Sequence, residues 1–336
     1  IIVASSCNTS SKKMDGIESE ILNYPADGET KFGNWTGSIG YRTKKAICKI
    51  ASPANFANIT LGDREVEPNT AFVGTGNTPP NGITAPVVYA DTTKSIDSAE
   101  LNGKILLTDK ISPLTARNKA IAKGAVALIS CFTKNPTENY NETAWINSFD
   151  VEDDGWLPTA KAAKQNFPCI SLSPEKRNFL KKLAETEKDI MVNIFVDSEY
   201  FKTTLPALSA FIQGDSPSSI LLTGHMFEQG LIDNASGVAL SCHAIKILKK
   251  LQNLQNLEFR NSIRCFHGQE TYGVIGLSKF NPEILSTCFA NLNLDMINRA
   301  EFPYIIHRGL LSSLNFTEEV LLQVLSAVKE KYRLIF

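Results

Sequence analysis

Four side chains in the second half of the chain have the types and spacing to gather around a metal ion: His225, Asp233, Glu270 and Asp295. His225 ends a short apolar run, residues 220–224 (ILLTG), that reads as a buried strand. Eight residues later Asp233-Asn234-Ala235-Ser236-Gly237 opens a segment in which Val238, Cys242, Ile245, Ile247, Leu248 and Leu251 recur at helical spacing. A second strand, residues 263–267, runs through Gly268-Gln269 into Glu270, and a third, residues 289–294, ends at Asp295. Each candidate therefore lies at or beyond the C-terminal end of a predicted strand, where open α/β sheets collect ligands. One imidazole with two or three carboxylates suits a borderline cation such as zinc.

These stretches resemble the M28 family of zinc aminopeptidases, whose motifs run G-x-H-x-D, D-D/N-x-S-G, F-x-G-E-E-x-G and N-x-D-M. Here they stand, in that order, as Gly224-His225, Asp233-Asn234-Ala235-Ser236-Gly237, Phe266-His267-Gly268-Gln269-Glu270-Thr271-Tyr272-Gly273 and Asn293-Leu294-Asp295-Met296. The resemblance implies an α/β fold with a mainly parallel mixed sheet flanked by helices. It implies zinc-assisted hydrolysis of a peptide with a free N-terminus. It further implies metal binding by His225 and Asp295, metal bridging by Asp233, Glu270 as general base, and a cis peptide directly after Asp233.

Two departures limit the carry-over. The acid that follows the catalytic glutamate in the family is here Thr271, whose neutral hydroxyl is a poor zinc ligand. The family's late histidine has no match, since His307 lies only twelve residues beyond Asp295 among Pro, Tyr and Ile. One metal position, His225 with Asp233 and Asp295, is complete, while the other keeps only Asp233. The expectation is one zinc ion. Two other functions compete: a binding protein of this fold that has lost metal ligands, and glutaminyl cyclase-like acyl transfer. The cyclases keep the acid that Thr271 replaces and so rank last.

Plainer roles stand beside these. A lone histidine after a strand is usually a hydrogen-bonded structural residue, Asp233 could merely cap the helix behind it, and Glu270 could be a loop acid. His267 reads first as a packed residue and second as an unusual ligand, and His243 as structural.

With 336 residues, 43% of them hydrophobic, the length suggests about two domains. A balance of 34 basic against 35 acidic side chains, without a basic tract, excludes nucleic acid as the expected partner. No apolar run approaches the ~18–20 residues of a bilayer span. The start, Ile1 to Cys7, resembles a signal-peptide tail ending in a bacterial lipobox, followed by a polar tether to residue 13. That implies export to the bacterial cell envelope with membrane attachment through a lipidated Cys7, a construction the sequence shares with an ordinary loop boundary. The seven cysteines lack a C-x-x-C pair and read as small buried hydrophobes.

Met14, Ile17, Ile21 and Leu22 suggest a short amphipathic helix, and a second is expected around Lys44, Lys45 and Ile47. Residues 14–84 are read as the N-terminal part of the peptidase domain. Residues 85–200 resemble an inserted, β-rich protease-associated (PA) domain, carried by G-K-I-L-L, K-G-A-V-A-L-I and P-C-I-S-L-S. Ser173 and Pro174 start a helix there. An acidic, aromatic stretch with Tyr140, Trp145, Asp150 and Trp156 reads as a solvated loop or a lid over the cleft. Residues 201–336 are read as the catalytic domain, with a final helix capped by Thr317 and an apolar end suggesting that the domain continues.

Overall fold

The computed structural model describes residues 12–14, 17–31, 38–147, 166–187, 190–227, 232–255 and 257–296. The lipobox, Cys7, His307, the helix expected after Thr317, and Asp150 and Trp156 of the acidic stretch lie outside the described residues. The chain divides into two compact units. One is Tyr24–Leu205, and the other joins residues up to Asn23 with Pro206 onward. In chain order the strands are β1 (Lys12–Met14), β2 (Ile17–Ala26), β3 (Gly40–Ser52), β4 (Thr60–Asp63), β5 (Ile83–Tyr89), β6 (Ile105–Thr108) and β7 (Ala127–Ser130). There follow β8 (Cys169–Ser171), β9 (Met191–Phe201), β10 (Thr203–Ile212), β11 (Ser216–Met226), β12 (Asn261–Gln269) and β13 (Cys288–Asn293). The helices are α1 (Thr93–Ser98), α2 (Pro113–Ala122), α3 (Pro174–Thr186), α4 (Ala235–Gln255), α5 (Tyr272–Phe280) and α6 (Pro282–Ser286). Among the described residues no helix is long and apolar enough to cross a membrane.

The unit that carries the candidate site is built on a six-stranded mixed sheet in the order β1-β2-β10-β12-β11-β13. Its parallel pairs are β11–β12 and β11–β13, whereas β1–β2 and β10–β12 run antiparallel. Helix α4 covers one face: Ile245 packs with Leu222 and Cys265, and Ala244 and Leu248 lie against Ile220, Ile263 and Leu292. Ile247, expected on that face, is exposed.

Two expected helices are strands. Residues 14–23 enter β1 and β2, because so short an apolar spacing is marginal as a helix in water and the sheet offers full pairing. Lys44, Lys45 and Ile47 lie in β3, which pairs along its length with β9. There Ala46, Cys48 and Ile50 are buried at strict alternation, and a bulge between Thr43 and Lys45 hides that period from the preceding residues. This pairing also moves a boundary. Residues 24–84, expected with the peptidase body, fold in the same unit as residues 85–200.

That second unit is a seven-stranded sheet in the order β4-β3-β9-β5-β6-β7-β8, with β5 to β8 parallel. Its central strands are apolar throughout because helices cover both faces. Ile105 and Leu107 of β6 share a core with Leu180 and Leu183 of α3, while Leu106 faces Ile96, Ala116 and Ala120 of α1 and α2. The Ser173 side chain caps α3 by accepting from the Lys176 N–H, with Pro174 in the first turn.

Just past β6 the Asp109 carboxylate accepts a hydrogen bond from the Tyr89 hydroxyl at 2.8 Å and pairs with the Arg177 guanidinium. The two charged side chains are 4% and 16% exposed, so water cannot replace a lost partner. Removing one member of a buried pair strands the other charge. Asp109→Ala is therefore expected to lower the free energy of unfolding by about 3–5 kcal/mol, read from urea denaturation. A loss below 1 kcal/mol would mean that Arg177 finds solvent.

Candidate metal centre

Register sets the site. In the parallel pairing of β11 with β12, His225 lies level with Gly268, so Glu270 is two residues further out at the same end of the sheet. On the other side Thr223 is level with Asn293, and the Leu294 N–H donates to the Thr223 carbonyl at 2.8 Å. Two residues on, Asp295 therefore stands beside His225. The strand face leading there is polar: the Thr223 hydroxyl lies 3.1 Å from the side-chain oxygens of both Asn291 and Asn293.

Ring nitrogen Nε2 of His225 is 3.1 Å from Asp295 Oδ1 and 3.2 Å from Asp233 Oδ1. One potential ligand atom from each of these three residues lies within 4.8 Å of the others, and among the described residues this is the single such group. One N–H cannot donate well to two carboxylates at once, whereas a cation among the three satisfies all of them. The two separations from His225 fit: ligands ~2.0–2.1 Å from a tetrahedral zinc lie ~3.3 Å apart. The donor set, one imidazole and two carboxylates, matches the chemistry of a catalytic zinc site with an open position. His225 is buried, and its Nδ1 has no hydrogen-bond partner among the described residues. Ligating histidines usually donate through that second nitrogen.

The two carboxylates reach His225 through Asn234, a residue to which the sequence reading gave no role of its own. The Asp233–Asn234 peptide is cis. The buried Asn234 side chain donates through Nδ2 to the Leu294 carbonyl at 3.0 Å, and its Oδ1 accepts from the Gly237 and Met296 N–H groups, each at 3.2 Å. Close approach requires glycine at 237, where a Cβ would stand 2.0 Å from the Leu294 carbonyl oxygen. The visible signal was the D-N-x-S-G pattern itself, whose asparagine and glycine are read here as packing constraints.

Glu270 lies just past β12, partly exposed, and is outside the three-residue group. Thr271 follows with φ 56° and ψ −52°, in a γ-turn closed by the Tyr272 N–H on the Glu270 carbonyl. Positive φ is an outlier for a β-branched residue. Non-glycine residues with positive φ also follow the other two strand ends, at Phe227 and Met296. A non-glycine residue of positive φ thus follows within two residues of each of His225, Glu270 and Asp295. His267 is elsewhere: fully buried on the α4 side, with Nε2 2.5 Å from the Ser241 hydroxyl oxygen. His243 is exposed on α4.

Residues 186–333 match the pattern of Peptidase family M28. That segment is similar to family M28. Solved structures agree in fold. The chain is similar to a peptidase M28 precursor from Shewanella amazonensis SB2B, with TM-score 0.55 at 18% identity over 82% of this chain and 60% of that one. It is similar to a zinc aminopeptidase from Bacillus subtilis, with TM-score 0.53 at 19% identity over 84% and 59%. A putative peptidase from Clostridium acetobutylicum gives TM-score 0.51 at 18% identity over 84% and 50%. The chain thus spans 50–60% of the length of these structures. No curated protein matches it significantly in sequence.

In the M28 segment, burial pushes the His267 pKa down to about 4. The Ser241 hydroxyl donates to the Val238 carbonyl, so its oxygen accepts from His267 Nε2–H and leaves Nδ1 buried without a partner. Charging that ring opposes folding. An unfolded chain takes up the proton near pH 6.5, the folded one only near pH 4. Stability from this group is therefore full above pH 6.5 and is lost progressively as pH falls toward 4. His267→Gln is expected to show a smaller drop in Tm than the parent between pH 7 and pH 4, both measured with chelator present. Identical drops would remove His267 from the acid response.

Proposed function

We propose that this chain hydrolyses peptide bonds next to a free N-terminus, with zinc held by His225, Asp233 and Asp295 and with Glu270 as general base. The observation that carries the reading is the convergence of one imidazole and two carboxylates within 4.8 Å at the sheet end where Glu270 also lies. The family match and the fold shared with a zinc aminopeptidase from Bacillus subtilis support it.

Zinc, when bound, acts as a Lewis acid and lowers the pKa of a coordinated water from ~15.7 toward ~7. His225 would hold the ion through its imidazole, and the Asp233 and Asp295 carboxylates would hold it and offset its charge. Glu270 accepts the proton of the attacking water on its carboxylate as the C–O bond forms. It returns that proton to the amide nitrogen as the C–N bond breaks, so the leaving group departs as an amine. In the same reading the chain is exported, Cys7 carries the lipid anchor, and residues 85–200 form a PA-like unit.

Thr271 favours a second reading, a metal-binding protein of this fold without catalysis, because it puts a neutral hydroxyl where the family pattern has an acid. Two measurements separate the readings. Glu270→Gln should leave zinc binding unchanged and lower kcat on aminoacyl anilides at least ~100-fold. Loss of metal together with activity would make Glu270 a ligand, and a parent protein inactive on every aminoacyl substrate would favour the binding role. Metal analysis after dialysis should give one zinc per chain, abolished by His225→Ala, whereas two retained equivalents would overturn the single-ion assignment.

A further inference from the structure

We infer that Asn234 is the positioning residue of the metal centre: its side-chain amide, rather than the packing of α4, sets the distance between the two ligand carboxylates. The inference rests on the reading of His225, Asp233 and Asp295 as metal ligands. Asp233 is the immediate chain neighbour of Asn234, so whatever holds the asparagine holds that carboxylate. Asp295 is bracketed. The Asn234 Nδ2 donates to the carbonyl of Leu294, the residue before it, and Oδ1 accepts from the N–H of Met296, the residue after it. A third bond, from Gly237 N–H to Oδ1, ties the same amide into the first turn of α4. All three involve a side chain only 2% exposed, so water cannot substitute for the amide.

The donor and acceptor ends do different work. Met296 has φ 49°, a left-handed exit that a non-glycine residue adopts at a cost, and its N–H is aimed at Oδ1. The Asn234 acceptor stabilises that exit, and so fixes which way the chain leaves Asp295. The donor end satisfies the Leu294 carbonyl, to which Gly237, lacking a Cβ, leaves access. An alanine at 234 keeps the helix and the strand but frees both sides of Asp295. An aspartate keeps an oxygen acceptor for Gly237 and Met296 but loses the donor to Leu294 and sets a carboxylate oxygen against that carbonyl instead.

The test is cobalt(II) titration of the full chain, read as affinity and as the visible absorption of the bound ion, beside thermal unfolding of the metal-free protein. Outer-shell partners of metal ligands typically govern affinity by about 10–100-fold. Asn234→Ala should lose cobalt affinity in that range and shift the absorption bands. Asn234→Asp should also lose affinity, because its second oxygen opposes the Leu294 carbonyl instead of donating to it, and parent-like affinity there would remove the donor end from the inference. Leu277→Ala, which hollows the core under α5 in the same unit, should lower Tm yet leave the bands and affinity unchanged. Parent-like cobalt spectra and affinity in Asn234→Ala would overturn the inference while sparing the metal-centre reading. A parent chain that binds no cobalt would overturn both. If Asn234→Ala does not fold, Asn234→Ser takes its place, with the same shifted bands expected and parent-like bands overturning the inference.

Discussion

The level parallel register of β11, β12 and β13 is the constraint on which the candidate site depends. It brings His225, Gly268 and Asp295 to one height, so that an imidazole and a carboxylate from strands far apart in sequence meet without any loop reaching across. A slip of one residue in β13 would put Leu294 or Met296 beside His225 and turn Asp295 to the other face. The Leu294 N–H on the Thr223 carbonyl and the Asn234 bonds on either side of Asp295 both oppose that slip. Buried apolar packing alone, Leu222 and Cys265 against Ile245, fixes the face of the sheet but is less selective about height.

Electrostatics then explains why this arrangement asks for a cation. Two carboxylates whose oxygens lie within 4.8 Å of each other repel by roughly 3 kcal/mol or more at an effective dielectric of ~20, less where Asp233 is open to water. His225 is the one basic group between them. A divalent ion removes the repulsion and, by binding only the folded chain, adds stability that grows with its concentration. On the proposed reading, folding of this unit and filling of the site are linked. The polar ladder of Thr223, Asn291 and Asn293 beneath the site is part of the same logic, because it keeps side-chain oxygens hydrogen-bonded where an apolar face would otherwise run.

The α/β class of the fold was legible in the sequence, and so was the convergence of three candidate side chains. His225, Asp233 and Asp295 could be picked out because strand ends and residue types are local signals, and the structure brings those three together. The strands β6, β7, β11 and β12 were likewise visible as short apolar runs. What failed was non-local. Residues 14–23 and 44–47 carry weak helical spacing, and only their pairing partners make them strands; in β3 the bulge breaks the alternation that would have revealed it. The grouping of residues 24–84 depends on β3 finding β9 more than a hundred residues away, which no local pattern encodes. Asn234 was in view but mute, since an asparagine beside an aspartate looks the same whether it cross-links two segments or faces water.

Thr271 remains the residue that bears most on how the site works. Its left-handed γ-turn follows Glu270 directly, so the backbone there is held in a conformation that a β-branched side chain disfavours. Such outliers persist only where the surroundings over-determine them. Here the turn brings Gly268 against Gly273, with no room for a Cβ at either position. The turn geometry is thus set by the glycines and not by the side chain at 271, and an acid there would meet the same backbone. Replacing that acid by threonine costs the site a charge but does not dismantle the scaffold. The geometry that holds the three candidate ligands and Glu270 at one sheet end does not depend on what Thr271 carries.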